Sequence, residues 1–235
     1  MKQLLFFLIL FITNTIQAIT GFAGTLLAMP VSILLLGVQE AKVILNIMAF
    51  LSCLWIALKE CKNIKWKICA KILGWMGIGM GVGIWLFQKI SLDFLLPMYG
   101  IMILIIAGKN LLVKKTYKVS DWLLIIVLFM AGVIHGMFVS GGALLVVYAT
   151  TVLKDKKEFR ATVASVWVVL NMILMITDYS RGYITADVLK MSCMGVIPLF
   201  FALYLGNRIH EKINQDVFLK MTYVLLFISG LTIIF

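Results

Sequence analysis

The sequence predicts an all-α polytopic membrane protein made of two inverted repeats, each a glycine-broken helical hairpin followed by three transmembrane helices. The first observation is composition. The 235 residues are 63% hydrophobic and 13% charged, whereas a soluble domain has about 45–50% apolar and about 25% charged residues. The second is that apolar runs long enough to cross a bilayer follow one another along the chain. The third is that one long run followed by three short runs occurs twice.

The apolar runs set the predicted order of elements. They occupy residues 3–36, 43–58, 68–88, 92–113, 122–153, 161–177, 188–206 and 217–235. The first and fifth are too long for one crossing, because a straight helix of that length measures about 50 Å and the hydrocarbon core about 30 Å. Each is interrupted near its middle by glycines, at Gly21 and Gly24 and at Gly141 and Gly142. We therefore expect two half-helices in each long run.

The start of the chain allows a second interpretation. Residues 1–18 have a basic beginning, an apolar centre and a small residue at Ala18, as a signal peptide has. The apolar run continues to Leu36, and an equivalent run occurs in mid-chain. A membrane segment is therefore the preferred interpretation.

An internal duplication explains the repeated order of runs. The second half follows the first with a displacement of about 118 to 120 residues. In this register Gln17 aligns with His135 and Gly24 with Gly142. The predicted repeats are residues 1–115 and 116–235.

Basic residues indicate how the chain is oriented. If each long run is a hairpin that enters and returns on one side, the loops 59–71, 109–118, 154–160 and 208–220 share a face that carries 16 of the 21 Lys and Arg residues. If each long run crosses once, the basic residues divide almost evenly. The positive-inside rule favours the hairpins, and the two halves then lie in opposite orientations. The net charge of +11 is explained by topology, so no nucleic-acid partner is expected.

The two glycine breaks are the predicted substrate site. Irregular main chain at membrane depth persists only where protein or a watery cavity satisfies its hydrogen bonds, and a helix that starts at a break points amide groups and a positive dipole end toward it. Polar side chains inside membrane segments point to function by default. The candidate substrate-binding residues are Asn14, Gln17, Thr20, Gly21, Gly24, Thr25, His135, Ser140, Gly141 and Gly142.

Each candidate also has a purely structural interpretation. Glycines allow close helix packing, and Asn14 and Gln17 can form hydrogen bonds between helices. His135 is either a neutral core residue or a group that binds substrate or carries a proton. Polar residues in the helices after each hairpin can close the site from the side: Asn46, Ser52, Thr162, Ser165 and Asn171.

Other site chemistries have little support. The acidic residues fall at segment ends, as Asp178 does, or in loops, as Glu60 does, so a carboxylate relay is not expected. The four cysteines show no metal-ligand spacing, so no metal or cofactor is predicted. There is no Walker loop, nucleophile elbow or zinc-protease signature, so the sequence predicts no enzyme and no ATP-driven pump.

Two motifs resemble a known family. The run 19–30, which ends Leu26-Leu27-Ala28-Met29-Pro30, is similar to the first-repeat signature of the TauE/SafE family, also called the sulfite exporter or TSUP family. The runs 132–144 and 160–165 are similar to its second-repeat signature. Phe22-Ala23 stands where a denser glycine run is common in the family, and Tyr148 stands where a second proline would match Pro30.

The resemblance implies a secondary transporter of small anions such as sulfite, sulfonates or related organosulfur acids, as an exporter in the cytoplasmic membrane of a prokaryote. We expect alternating access around a midplane site, driven by a proton or by the gradient of the substrate. One alternative is a non-transporting membrane assembly or insertion factor. Another is an intramembrane enzyme that uses His135. The oligomeric state stays open.

Overall fold

The computed structural model of the protein describes residues 2–87 and 120–214, and in addition positions 89, 101, 104, 105, 217, 218, 220, 221, 224, 227, 228 and 231. Several predictions lie outside these residues: the membrane segment at 92–113, the lysines of 109–118 and the repeat boundary at 115. Most of the last apolar run, 217–235, lies outside them as well.

The described parts of the chain are helical throughout. The helices are α1 Lys2–Thr20, α2 Ala23–Leu36, α3 Val38–Lys59, α4 Trp66–Leu86, α5 Asp121–Phe138, α6 Gly142–Val152, α7 Lys156–Ser180 and α8 Ala186–Lys212. A 3₁₀ turn, Cys61–Asn63, joins α3 to α4. Six of these helices, all except α2 and α6, are long and apolar enough to cross a membrane. The all-helical multi-pass membrane fold is confirmed.

Each long apolar run forms two helices, as predicted. The first break lies at Gly21, whose φ of 84° is unfavourable for residues with a side chain. The second lies at Val139, which has a positive φ of 55° although it is not glycine. In each hairpin the first helix is nearly membrane-long, with 19 residues in α1 and 18 in α5, and the second is shorter, with 14 in α2 and 11 in α6.

Helix contacts give the directions of the two hairpins. Helices α1 and α8 run parallel, because Leu10 lies against Gly195 and the carbonyl oxygen of Ile19 lies 2.8 Å from Nδ1 of His210. Helices α4 and α5 also run parallel. Met76 of α4 packs against Gly132 of α5, and Met80, about one turn later in α4, packs against Gly136, about one turn later in α5.

The two hairpins point into the bundle from opposite ends. Helix α3 runs with α8, since Lys59 pairs with Glu211, and α4 starts at that same end, where Lys65 pairs with Glu158. Thus α1 runs toward this end and α5 runs away from it. The inverted repeat itself stays a prediction, since the segment at 92–113 that would complete the first half is not among the described residues.

Basic loops gather at one end of the bundle, which we call the lysine-rich end. Besides the two ion pairs above, Nζ of Lys156 donates to the carbonyl oxygen of His210, 2.7 Å away. The described parts of the loops 59–65, 154–160 and 208–212 therefore meet there. This is the arrangement that the hairpin interpretation of the charge pattern requires.

Helices α4 and α5 pack with their main chains in contact. A Cβ atom added to Gly79, Gly83 or Gly132 would lie less than 3.0 Å from main-chain atoms of the opposing helix. In lipid, where burying apolar side chains supplies little drive for helix association, such close contact adds dispersion attraction between helices. These glycines have a packing role.

We predict that Gly83→Ala destabilises the protein, because its methyl group would overlap the main chain of Val133. Overpacking of this kind costs about 1–3 kcal/mol. Gly81→Ala is the matched control, since nothing lies within 4 Å of an added Cβ there. Thermal unfolding in detergent should show a lower midpoint for the first variant only. Equal midpoints would contradict the close packing.

Candidate functional site

The Gln17 side chain holds the first break together. Its Oε1 accepts a hydrogen bond from the amide of Gly24 at 2.7 Å, and its Nε2 donates to the carbonyl oxygen of Gly21 at 3.3 Å. The same Nε2 lies 3.1 Å from Sγ of Cys53 on α3. Gln17 therefore satisfies main-chain groups that membrane hydrocarbon would leave without partners.

Other polar residues of α1 also bond to nearby main chain. Oγ1 of Thr20 accepts from the amides of Phe22 and Ala23 at 3.4 and 3.3 Å, which caps the start of α2. Nδ2 of Asn14 donates to the carbonyl oxygen of Leu10 at 2.9 Å, and Oγ1 of Thr13 donates to that of Ile9 at 2.7 Å. The density of polar groups in α1 thus serves the helix and its break.

The second break is built differently. Helix α6 begins at Gly142 with no side-chain cap, and the first amides of an α-helix have no partner within the helix. Oγ of Ser140 donates to the carbonyl oxygen of Phe138 at 3.0 Å. Gly141 packs so closely that an added Cβ would lie 2.9 Å from Cβ of His135. The start of α6 therefore keeps its amide groups and its positive dipole end available.

A small cavity lies between the two breaks. The space open to the centre of a water molecule is about 10 Å³, enough for about one water. The lining residues come from both hairpins and from the middle of α3 and α7: Gln17, Phe22, Thr25, Ala49, His135, Val139, Gly142, Trp167 and Asn171. No carboxylate is among them.

Polar atoms without partners converge on this cavity. Within the described residues, neither ring nitrogen of His135 has a hydrogen bond in good geometry, although the Asn171 side chain lies beside the ring. Nε1 of Trp167 and Oδ1 of Asn171 are also unpartnered. The rings of His135 and Trp167 lie 4.7 Å apart at 36°. Buried polar atoms are nearly always paired, so such a cluster indicates a place for a ligand or water.

The structure separates the ten predicted site residues into two groups. Four line the cavity: Gln17, Thr25, His135 and Gly142. The other six lie around it in the breaks or in α1: Asn14, Thr20, Gly21, Gly24, Ser140 and Gly141. Asn171 was singled out as a residue that closes the site from the side, and it does line the cavity. Trp167 was missed, because a tryptophan in an apolar run gives no signal of its own.

Two charged residues are buried far more deeply than their positions in the sequence suggest. Arg160 was counted as a loop charge and Asp178 as a residue at a segment end, yet they are 1% and 2% exposed. Nη1 of Arg160 donates to Oε1 of Glu60 at 2.7 Å, and Nη2 donates to Oδ1 of Asn207. Burial raises the pKa of Glu60, while the positive charge of Arg160 acts in the opposite direction.

Comparisons with known proteins agree with this architecture. A family model described as Sulfite exporter TauE/SafE matches residues 6–233. The protein "Probable inner membrane transporter protein TsaS" of Comamonas testosteroni is 25% identical over 175 residues, which cover 73% of each chain. No solved structure matches the chain.

The six membrane-length helices define a multi-pass membrane protein, and the family match and the transporter relative make it a membrane transporter. The chain belongs to the sulfite exporter TauE/SafE family. The resemblance seen in the two glycine motifs is thereby confirmed.

We predict that Gln17→Leu destabilises the first break, because the buried amide of Gly24 loses its acceptor. A buried group left without a partner costs about 1–3 kcal/mol. Thr13→Val is the control on the same helix, since it removes only bonds to carbonyl oxygens one turn back. Thermal unfolding in detergent should separate the two variants. A midpoint for Gln17→Leu as high as that of the control would show that Gln17 does not hold the break.

Proposed function

We propose that this protein is a secondary transporter of small oxyanions, and that the cavity between the two breaks is its substrate site. The observation that carries the proposal is the pair of unpartnered side chains, His135 and Trp167, beside the start of α6, which has no side-chain cap. An anion with several oxygens accepts hydrogen bonds from such groups, and a helix N-terminus favours its charge.

The chemistry of the lining favours an anion over a cation. Trp167 Nε1 is a donor only, the amide nitrogen of Asn171 is a donor, and His135 donates from at least one ring nitrogen. No carboxylate lines the cavity to attract a cation. Sulfite and small sulfonates present three oxygens on a tetrahedral or pyramidal sulfur, which suits donors that converge from different helices. The description of the family supports the same class of substrate and supports export.

Transport through this site requires the hairpins to move. A cavity with room for about one water must enlarge to admit even sulfite. Phe22, at the tip of the first hairpin, packs over Gly142, where an added Cβ would lie 3.1 Å from Cδ2 of Phe22. Displacement of Phe22 would expose the start of α6. Alternating access by two inverted repeats, 1–115 and 116–235, gives such a movement from each side in turn.

The membrane placement follows from the charges. With the lysine-rich end in the cytoplasm, α1 begins on the opposite side of the membrane. The inner-membrane location printed for the relative from Comamonas testosteroni supports the cytoplasmic membrane of a prokaryote. We propose a proton or the gradient of the substrate as the energy source. A membrane assembly factor would have no need of polar groups that converge on an enclosed cavity, so transport is the better explanation.

The decisive experiment is transport in reconstituted vesicles with sulfite, methanesulfonate, acetate and sodium ions, with and without a pH gradient. We expect a sulfur oxyanion to move. Asn171→Leu should reduce its transport by about tenfold or more, because the loss of one polar contact to a buried charged ligand is worth about 1.5–3 kcal/mol.

Thr177→Val is the matched control on α7, because its hydroxyl is exposed and bonds only to its own helix, at the carbonyl oxygen of Ile173. Its transport should equal that of the unaltered protein. Movement of sodium ions alone, or equal loss in both variants, would rule out the proposed anion site.

The topology has its own test. Single cysteines placed by Lys65→Cys and Arg181→Cys should be modified by an impermeant thiol reagent from opposite sides of the membrane. Lys65 precedes α4 at the lysine-rich end. Arg181 follows α7, which starts at the lysine-rich end and ends at the opposite one. Modification of both from the same side would contradict the opposed hairpins.

A further inference from the structure

We propose that two charge networks at opposite ends of the bundle close the substrate pathway in turn, and that their cations, Lys42 and Arg160, receive the anion when their carboxylate partners release them. The role toward the anion rests on the transport function proposed above. We call the groups the Arg160 lock, formed by Arg160, Glu60 and Asn207, and the Lys42 lock, formed by Lys42, Asp178 and Phe87.

The two locks occupy equivalent positions in the two halves. Lys42 is 118 positions before Arg160, and Glu60 is 118 positions before Asp178. Each cation is the fifth residue of its helix, α3 or α7, and each acid lies at or just after the end of the same helix. Because these helices run in opposite directions, the cation of each half meets the acid of the other. Gly21 and Val139, the residues with positive φ at the two breaks, are also 118 positions apart.

Three of the four charged side chains in the two locks are buried. The exposed fractions are 5% for Lys42, 1% for Arg160 and 2% for Asp178. A buried charge is strongly destabilising unless it is paired. The other ion pairs in the described residues, Lys59–Glu211 and Lys65–Glu158, have side chains that are 32% to 64% exposed. A buried pair at each end of a transport pathway therefore has a large energetic effect when it forms or separates.

The two locks are in different states in this structure. The Arg160 lock is closed, with 2.7 Å between Nη1 of Arg160 and Oε1 of Glu60. In the Lys42 lock, Lys42 and Asp178 lie near enough for their opposite charges to act on each other, and Arg181 acts on both, but Lys42 and Asp178 form no ion pair. Nζ of Lys42 instead lies 4.5 Å from the centre of the Phe87 ring, and Oδ2 of Asp178 is unpartnered. Equivalent networks in unequal states are what alternating closure requires.

Each lock touches the tip of one hairpin. Gly21 packs on Arg160, since an added Cβ would lie 3.3 Å from its Cγ and from its carbonyl oxygen. At the other end, the ring of Phe87 lies 6.2 Å from that of Phe138, the last residue of α5. Rearrangement of either lock would therefore loosen the hairpin tip beside it. The cavity lies between the two tips, so each lock controls access from its own end.

The test measures access to the cavity from each side. The reporter is Ala49→Cys, a lining position, in a protein whose own cysteines have been replaced by serine or alanine. An impermeant maleimide is added to one side of sealed vesicles. A parallel sample that keeps only Cys61, one of the two exposed native cysteines, identifies the lysine-rich side. The rate of modification from each side is recorded without any substrate.

We expect Glu60→Gln to increase modification from the lysine-rich side and Asp178→Asn to increase it from the opposite side, each by about fivefold or more, the size of a typical coupling between sites. Glu158→Gln is the control, because it removes the other surface ion pair at the lysine-rich end, Lys65–Glu158. It should leave both rates unchanged. If Glu60→Gln does not fold, Asn207→Ala takes its place, since it removes the other partner of Arg160.

Rates that do not change in folded variants, or that change on the same side in both, would overturn the locks. The result is separate from the transport assay. Opposite changes in access without movement of any sulfur oxyanion would leave the locks standing and remove the proposed substrate. Sulfite transport with unchanged access would support the proposed substrate and overturn the locks.

Discussion

The requirement that main-chain hydrogen bonds be satisfied inside a membrane governs this structure. A helix that breaks in hydrocarbon exposes amide and carbonyl groups to an environment without hydrogen-bond donors or acceptors. Gln17 meets that requirement at the first break, where one side-chain amide serves the main chain of Gly21 and Gly24 together. The first break is satisfied from within the protein, and it places Phe22 against the start of α6.

In the register of the two predicted repeats, equivalent positions have different roles. Gln17 aligns with His135. The side-chain amide of Gln17 forms hydrogen bonds to the main chain of its own hairpin, whereas both ring nitrogens of His135 lack partners. The first amides of α2 bond to the side chains of Thr20 and Gln17, and the start of α6 has no side-chain cap. The first hairpin is thus mainly structural and the second contributes the polar groups that we propose contact the anion. A duplicated fold can diverge in this way without loss of its packing.

Charge has two roles that hydropathy does not distinguish. Exposed lysines such as Lys65 gather at one end of the bundle, and under the positive-inside rule such lysines orient the helices. Arg160 lies in the same stretch of sequence as the lysines of 154–157 but is buried and joins three helices. We propose that it and Lys42 convert the position of the hairpins into access to the cavity. The same end of the bundle therefore carries both the orientation signal and a closing device.

The sequence by itself determined the class of protein, the two broken segments and the approximate position of each break, because these depend on local hydropathy and on where glycines interrupt it. The positive φ of the second break falls on Val139 and not on a glycine. It also brought out His135, Gln17, Thr25 and Gly142, since polar or small residues stand out in apolar runs. Only the tertiary structure decided that Trp167 lies against His135 and that Arg160 and Asp178 are buried. Those facts depend on how helices distant in sequence pack, and a tryptophan in a span or a charge near a helix end has the same local pattern whether it faces lipid, water or the core.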